Sequence, residues 1–496
     1  MTTETVPNPT GSVPTTGKPS DDRLPPGSKL LIGLLLVSAF VVILNETIMS
    51  VALPRLMEDL DITASSAQWL TTGFMLTMAV VIPATGFLLD RFSLRTMFIT
   101  AMVLFSLGTL IAALSPGFGT LLLGRVVQAS GTAIMMPLLM TTVLNVVPVS
   151  ARGRTMGAIS IVISVAPAVG PTVSGLILSV LDWRWMFWIV LPIAVASLVL
   201  GAVLVRNVTE PRRVRFDVLS LVLSAFAFGG LIFGLSSIGE SAEGHALMPV
   251  WIPLAVGVLA LLGFVLRQRG LARDDRAFMD LRTFANRSFT VSIILVAIVM
   301  MALFGSLIIL PIYLQTVLQV DTLTTGLMLL PGGLTMAALA PLVGSLFDRF
   351  GPRPLVIPGA FAVSAALWLL TMLGVDSAIV MIIAVHVLLS AGLAFMFTPL
   401  LTSALGSLRP ELYPHGSAIV GTVQQLAGAA GTALFITMMS TTAAARAAVG
   451  SSAVDATAAG VQAAFMCGAV LSLLAIGASF LIRRTDQAAA GVHVGH

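Results

Sequence analysis

Two ionisable residues stand inside long apolar stretches of this 496-residue chain: Glu46, eight residues before Pro54, and Arg125, within the segment LLLGRVVQASG. In a membrane-spanning helix each would carry an insertion cost of about 2.5–3.5 kcal/mol, and so would need a partner or a function. A carboxyl group can take up protons outside and release them inside, which makes Glu46 the candidate proton carrier. A structural glutamate bonded to a neighbouring helix is the alternative.

Arg125 and Glu46 lie at similar depths, about 10 Å and about 12 Å from the outer ends of their helices at 1.5 Å per residue. An arginine that pairs only with the deprotonated glutamate would link proton occupancy to conformation, whereas a permanent ion pair would only hold the bundle together. Gln128, one turn after Arg125, faces the same way and extends this network. His386, about 13 Å into its own span, is a second titratable candidate or else a packing residue.

The composition predicts helices that cross a membrane and position these residues. Hydrophobic residues make up 57% of the chain and charged residues 10%, against about 25% charged in soluble domains. The apolar runs are continuous and roughly 20 residues long, as helices need and the alternating strands of a barrel do not. We predict fourteen spans: 30–53, 67–89, 95–114, 118–147, 155–180, 185–205, 217–236, 249–266, 289–314, 324–347, 355–375, 377–403, 415–439 and 461–482.

The basic residues set the predicted orientation. With the amino terminus inside, 22 of the 26 Lys and Arg residues fall on the cytoplasmic side, as the positive-inside rule requires. Both termini are therefore expected in the cytoplasm of a bacterial cell, with the chain in its inner membrane. We predict a disordered tail over 1–28, six-helix bundles over 29–206 and 289–484, two inserted helices with their linkers over 207–288, and a second tail over 485–496.

The sequence argues against several classes of function. The single cysteine, Cys467, excludes an intramolecular disulfide and a CxxC metal site. The segment GSVPTTGKPS has five residues between its glycines and a proline after its lysine, so it is rejected as a phosphate-binding loop. Basic residues confined to short loops argue against nucleic-acid binding. We expect a protein that is not an enzyme and that uses neither ATP, a cofactor nor a metal.

One short pattern occurs twice, 258 residues apart: GFLLDRFSLR at 86–95 and GSLFDRFGPR at 344–353. Parallel repeats of this kind indicate a transporter made of two similar halves, and two extra spans between the halves explain the long separation. The repeated residues Gly86, Asp90, Arg91 and Arg95, with their counterparts Gly344, Asp348, Arg349 and Arg353, are predicted to form a cytoplasmic latch. Charges that only fix the topology are the alternative.

These repeats resemble the loop signature of the major facilitator superfamily. LLLGRVVQASG and APAVGPTVSG (166–175) resemble its fourth-span and fifth-span antiporter patterns, and LNETIMSVALP (44–54), QWLTTGFML (68–76) and WRWMF (183–187) resemble the fourteen-span drug:proton antiporters of the EmrB/QacA type. That family usually has Asp where Asn45 stands, Gly where Ala129 stands and Asn where Val190 stands. The resemblance implies an all-α fold of two six-helix bundles plus two inserted helices, and cavity-lining roles for the helices of Glu46, Arg125 and His386.

The predicted function is proton-coupled export of lipophilic, often cationic drugs by alternating access around a midplane site. An exporter of one metabolite or peptide-like compound is a second interpretation, and a membrane receptor that does not transport is a third. The expected partners are small molecules, protons and the lipid bilayer, with a monomer as the working unit. A proline and glycine pivot (Pro167, Gly170, Pro171, Gly175) would limit leakage, and the substrate-cavity candidates are Asn45, Phe74, Met78, Met135, Met136, Met301, Phe304, Gln315, Phe397, Gln424 and Gln425.

Overall fold

The computed structural model describes residues 28–146, 162, 165–166, 169–205, 217–242, 248–272, 277, 279–409 and 412–482. The described elements are helical. They are α1 (Ser28–Thr47), α2 (Met49–Leu60), α3 (Ala64–Arg91), α4 (Leu94–Ala113), α5 (Phe118–Val146), α6 (Val169–Leu178), α7 (Trp185–Leu204), α8 (Val218–Ala242), α9 (Trp251–Leu271), α10 (Arg287–Ile312), α11 (Thr322–Phe350), α12 (Arg353–Leu370), α13 (Ile379–Gly406), α14 (Tyr413–Ala448) and α15 (Ala453–Ser479).

Thirteen helices within these described ranges are long and apolar enough to cross a membrane. They coincide with thirteen of the predicted spans to within a few residues at most ends. The remaining predicted span, 155–180, falls partly outside the described residues, which include 162, 165–166 and the stretch 169–180 that contains α6. An all-helical membrane fold is therefore confirmed, whereas the count of fourteen and the placement of both termini stay predictions.

The first predicted span is not one helix ending near residue 53. It is interrupted at Ile48, and α2 continues to Leu60, so Glu58 and Asp59 also lie on a helix. Local side-chain bonds explain the interruption, because Thr47 donates to the carbonyl of Leu44 (3.2 Å) and Ser50 to that of Thr47 (2.9 Å). Such bonds compete with the backbone ladder and bend helices. The break falls two residues after Glu46.

The helices form two bundles and a hairpin. In the N-terminal bundle (α1–α7), α4 packs closely along α5, and α5 also packs against α3 and α1; in the C-terminal bundle (α10–α15), α14 packs between α10 and α15. The hairpin of α8 and α9 lies beside the line where α3 meets α14. Ile232 of α8 packs there with Met75 of α3 and Ala429 of α14. The hairpin therefore contacts both bundles.

The two bundles touch at the ends predicted to face outside. Thr172 of α6 donates to the carbonyl of Gly326 in α11 (3.0 Å), and Gln315 donates to the carbonyl of Val51 in α2 (3.1 Å). Gln315 lies on a π-helical turn, Tyr313–Val317, that continues α10. These bonds close the outer end of the molecule in this conformation.

Candidate functional site

The Arg125 side chain is fully buried inside the N-terminal bundle and surrounded by acceptors. Its Nη1 donates to Asn45 Oδ1 (2.8 Å), to the Asn45 carbonyl (3.3 Å) and to Gln128 Oε1 (2.7 Å), while Nε donates to the carbonyl of Leu70 (3.3 Å). The guanidinium also lies 4.1 Å from the ring centre of Phe74, a favourable cation–π arrangement. Neutral dipoles and one ring therefore hold the charge.

A close approach between α4 and α5 completes this network. A Cβ atom at Gly108 of α4 would collide with the backbone of Gln128 in α5, so only glycine allows the two helices to come this near. Gln128 Nε2 consequently reaches Thr109 Oγ1 (2.7 Å), which itself donates to the carbonyl of Phe105 (2.7 Å). Thr109 was not among the predicted site residues, although a threonine in an apolar span is a detectable signal.

Glu46 lies one residue after Asn45 but faces a different neighbour. Successive helical residues are rotated by about 100°, and the Glu46 carboxyl group turns to the Gln425 side chain of α14 in the other bundle. Its Oε1 atom and Oε1 of Gln425 are both buried without a hydrogen-bond partner among the described atoms. Glu46 and the substrate-cavity candidate Gln425 thus meet across the boundary between the bundles.

The predicted contact pair of Glu46 and Arg125 is not an ion pair in this conformation. No nitrogen–oxygen distance of 4.0 Å or less joins these two residues in the described structure, and their attraction acts over a longer range. The physical reason is that Asn45 occupies the position next to the guanidinium. The sequence therefore places the carboxylate one residue further on, in the seam between bundles.

The other cavity candidates do not form one group in this conformation. Phe74 and Met78 pack with Ala129 and Ala133, next to Arg125. Met135 and Met136 belong to a core cluster of the N-terminal bundle, and Phe397 packs against the large core cluster. Met301 and Phe304 face α14, where Cβ atoms at Gly431 and Gly428 would strike them. Gln424 is partly exposed, one residue before Gln425.

His386 belongs to a separate place in the C-terminal bundle. Its ring lies against α11, where a Cβ atom at Gly332 would overlap it, and its Nδ1 is buried without a partner among the described residues. The groups that interact with Glu46 are Arg125 and Gln425. The structure thus brings Glu46, Arg125 and Gln128 into one region and leaves His386 outside it.

The repeated cytoplasmic motif lies at two corresponding helix ends, between α3 and α4 and between α11 and α12. Arg95 Nη2 donates to the carbonyl of Ala202 at the end of α7 (2.6 Å). Asp348, Arg349 and Arg353 are exposed, and Gly344 has open space at its Cβ position. Arg91 is exposed on the last turn of α3, and the side chain of Asp90, like Gly86, lies outside the described set. Their role as a latch stays a prediction.

The antiporter-like segment lies where α6 meets two other helices. Cβ atoms at Gly170 and Gly175 would collide with Thr47 and with the carbonyl oxygen of Thr322. Pro171 is buried, and its carbonyl oxygen is 2.7 Å from the Cβ position of Gly326. Pro167 lies outside the described residues. The glycines of this segment therefore permit the close contact between α6 and both α1 and α11.

Comparison with known proteins agrees with this architecture. Residues 35–432 match the Major Facilitator Superfamily. An uncharacterized MFS-type transporter, YcnB of Bacillus subtilis, is 40% identical over 95% of this chain and 98% of its own length. The lincomycin resistance protein LmrB of Listeria monocytogenes is 41% identical over 92% of this chain and 96% of its own length.

A solved structure shows the same fold at low sequence identity. It is a bacterial homologue of the human lysosomal transporter Spinster, in an inward-facing and unoccupied conformation. The likeness has a TM-score of 0.67 and 15% identity, and covers 92% of this chain and 97% of that one. The family match and the relatives over nearly the whole chain agree with a fold of two helical bundles and an inserted hairpin. This chain is a membrane transporter that belongs to the major facilitator superfamily.

Proposed function

We propose that this transporter is a proton-coupled antiporter that exports lipophilic, often cationic drugs. The observation that carries the proposal is the position of Glu46. It is the one acidic residue in the interior of a spanning helix within the described residues, and it lies at the boundary that must open and close during alternating access. Intramembrane acidic residues commonly mark proton relays.

Protonation of Glu46 changes the charge at this boundary. The deprotonated carboxylate carries a negative charge beside Gln425, attracted by Arg125, whereas the protonated form is neutral and can donate a hydrogen bond. A cationic substrate is stabilised near the deprotonated form and destabilised once the charge is removed. Proton uptake and drug release are therefore linked through the same group.

The available driving force is adequate for export. One proton crossing 100 mV supplies about 2.3 kcal/mol. At 1.36 kcal/mol per tenfold, this sustains a gradient of about 50-fold per proton for a neutral substrate. A singly charged cation exchanged for one proton moves no net charge, so its export is driven by the pH gradient, about tenfold per pH unit. Relatives named lincomycin resistance proteins make lincomycin, an amine that is positively charged when protonated, the first substrate to test.

The test is efflux of lincomycin and of ethidium from cells that express the chain, with and without a protonophore. We expect efflux above the empty-vector rate that stops when the protonophore is added, and loss of this component in Glu46→Gln. Glu58→Gln is the matched control, because Glu58 is an exposed residue of α2 beside Arg55. Efflux that persists unchanged in Glu46→Gln would contradict the proposal, and efflux of a single compound alone would favour a dedicated exporter.

A further inference from the structure

The seam between α3 and α14 has a register that close contacts define. At the outer end, Ser65 Oγ and Ser440 Oγ are 3.4 Å apart. Deeper in the membrane, Met75 and Ile82 of α3 approach the Cβ positions of Gly428 (2.9 Å) and Gly421 (3.3 Å) in α14. The two helices therefore run antiparallel, with residue numbers that rise along α3 as they fall along α14.

Polar residues from both helices point into this seam between its outer end and Glu46. Gln68 and Thr72 follow Ser65 at spacings of three and seven residues, which keeps all three on one helical face. Thr432 precedes Ser440 by eight residues and follows Gln425 by seven, so it shares their face of α14. By the register, Thr72 and Thr432 lie at the same depth, about 5 Å further out than Met75 at 1.5 Å per residue.

These side chains are buried without bonding partners. Thr72 and Thr432 are 0% exposed and Gln68 is 1% exposed. Within the described part of the chain, both threonine hydroxyls and both amide atoms of Gln68 lack a hydrogen bond. Buried polar groups are nearly always bonded to protein or water, so three neighbouring exceptions in one seam require an explanation. If this face of α3 served only for apolar packing, residues such as Met75 and Ile82 would be expected at the polar positions too.

We propose that Gln68, Thr72 and Thr432 form the route by which external protons reach Glu46. The proposal rests on the proposed function, in which Glu46 is the proton carrier. In the conformation described, the seam is tightly packed and the route is shut, which prevents a proton leak. When the outer ends of α3 and α14 separate, the hydroxyls and the amide bind a file of water molecules that passes protons inward.

The surroundings direct this route to Glu46. On the lipid side, α8 covers the seam, with Phe233 packed on Trp69 (ring centres 5.7 Å apart) and Ile232 packed on Met75. Water must therefore enter from the outer end, past Ser65 and Ser440. At the inner end, the file reaches Gln425, which contacts Glu46, and Arg125 is the charged group that acts on Glu46 from α5.

The experiment compares Thr72→Val/Thr432→Val with the wild type in proteoliposomes under an imposed pH gradient. Valine keeps the shape of threonine, because a methyl group takes the place of the hydroxyl. We expect drug exchange to slow by at least about tenfold at alkaline external pH, equal to about 1.4 kcal/mol in the barrier. The rate should recover towards the wild-type value as the external side is acidified, because a higher proton concentration compensates for slow delivery. Drug affinity in detergent should stay unchanged.

Thr422→Val is the matched control. Thr422 is on the same helix, is 3% exposed and likewise lacks a partner among the described residues, but it lies on the cytoplasmic side of Gln425. The drug exchange rate of Thr422→Val should stay within about twofold of the wild-type rate, since replacing one hydroxyl by a methyl group changes the packing little. Gln68→Leu supplies an independent variant and should show the same pH-dependent loss as the double valine variant.

The outcomes separate this proposal from the function on which it rests. If Glu46→Gln abolishes coupling but the valine and leucine variants match the wild type at every external pH, the route is overturned and the antiporter stands. Slowing that is equal at every pH shows a structural role and also overturns the route. If Glu46→Gln retains coupling, Glu46 is not the proton carrier. A loss of exchange rate confined to alkaline pH in the valine and leucine variants would then contradict the proposal that the route ends at Glu46.

Discussion

Arg125 and Glu46 both lie within spanning helices of the N-terminal bundle, and their surroundings are opposite. Arg125 is held by Asn45, Gln128 and the carbonyl of Leu70, all within its own bundle. Glu46 faces the other bundle, and its Oε1 lacks a hydrogen bond among the described atoms. The guanidinium makes four hydrogen bonds, although its Nη2 lacks a partner among the described atoms. A group bonded several times within one bundle is expected to stay in place during transport, whereas a group with few bonds at a moving boundary can change its charge and its neighbours. We therefore propose a structural role for Arg125 and the coupling role for Glu46.

The largest expected effect comes from removing the hydrogen bonds that hold Arg125. Arg125→Ala leaves Asn45 and Gln128 without their donor and opens a cavity. Each buried acceptor left without its donor costs about 1–3 kcal/mol, and several are lost together, so we expect little folded protein by fluorescence-detected size-exclusion chromatography. Arg349→Ala, at an exposed helix end, is the control and should fold normally. Normal yield and melting temperature for Arg125→Ala would show that the network is dispensable.

The second effect concerns the closed outer end, where α6 meets α11. A leucine at Gly326 would collide with the carbonyl of Pro171, and overpacking costs about 1–3 kcal/mol in the closed state. That cost shifts a two-state equilibrium by roughly 5–150-fold, so Gly326→Leu should fold but transport slowly in an efflux assay. Gly477→Leu, which has open space at its Cβ position, is the control. Wild-type transport by Gly326→Leu would mean that this contact is not part of the cycle.

A smaller effect is expected from a substitution at Asn45, the residue that bonds to Arg125. Asn45→Asp places a carboxylate where the Asn45 amide oxygen lies 2.8 Å from Arg125, and replaces a hydrogen bond to a neutral amide by an ion pair. We expect stabilisation by about 1–2 kcal/mol, measured as a higher melting temperature in detergent. Transport should still depend on Glu46. If Asn45→Asp makes Glu46 dispensable, the carboxylate at position 45 takes over the coupling and the division of roles proposed here is wrong.

The smallest effect lies far from both charges, in the hairpin. Asp217, just before α8, accepts two bonds from Arg267 (2.8 and 2.7 Å), and these bonds hold the pKa of its carboxyl group below the usual value. The stabilising contribution is therefore present at neutral pH and is lost as the pH falls through the lowered pKa. Asp217→Asn should lower the melting temperature by a few degrees at neutral pH, with a difference from the wild type that shrinks in acid. A difference that does not depend on pH would exclude the ion pair as its cause.

Much of this fold can be predicted because a bilayer imposes one rule on every span. Backbone groups in lipid must be bonded within the segment, so each apolar run of sufficient length becomes a helix. The break at Ile48 escaped prediction because it depends on how Thr47 and Ser50 bond to nearby carbonyls. Composition does not encode such local geometry.

The candidate site could be predicted only in part. Glu46, Arg125 and Gln128 are visible as polar residues in apolar stretches, and the structure brings them into one region. Their partners are set by the packing between helices, which places Arg125 against Asn45 and Glu46 against Gln425. A single sequence does not reveal that packing. Gln68 and Thr72 were detectable as polar residues four apart on one helix, but the facing Thr432 required the register of α3 and α14.

In the proposed mechanism, Glu46 holds the proton that is exchanged for drug. The most direct test of this proposal is proton release from purified, unbuffered transporter in detergent when lincomycin is added, followed with a pH-sensitive dye. We expect acidification by the wild type and by Glu58→Gln, and none by Glu46→Gln at lincomycin concentrations where binding is verified separately. Equal acidification by Glu46→Gln would contradict the proposal and assign the exchanged proton to another group.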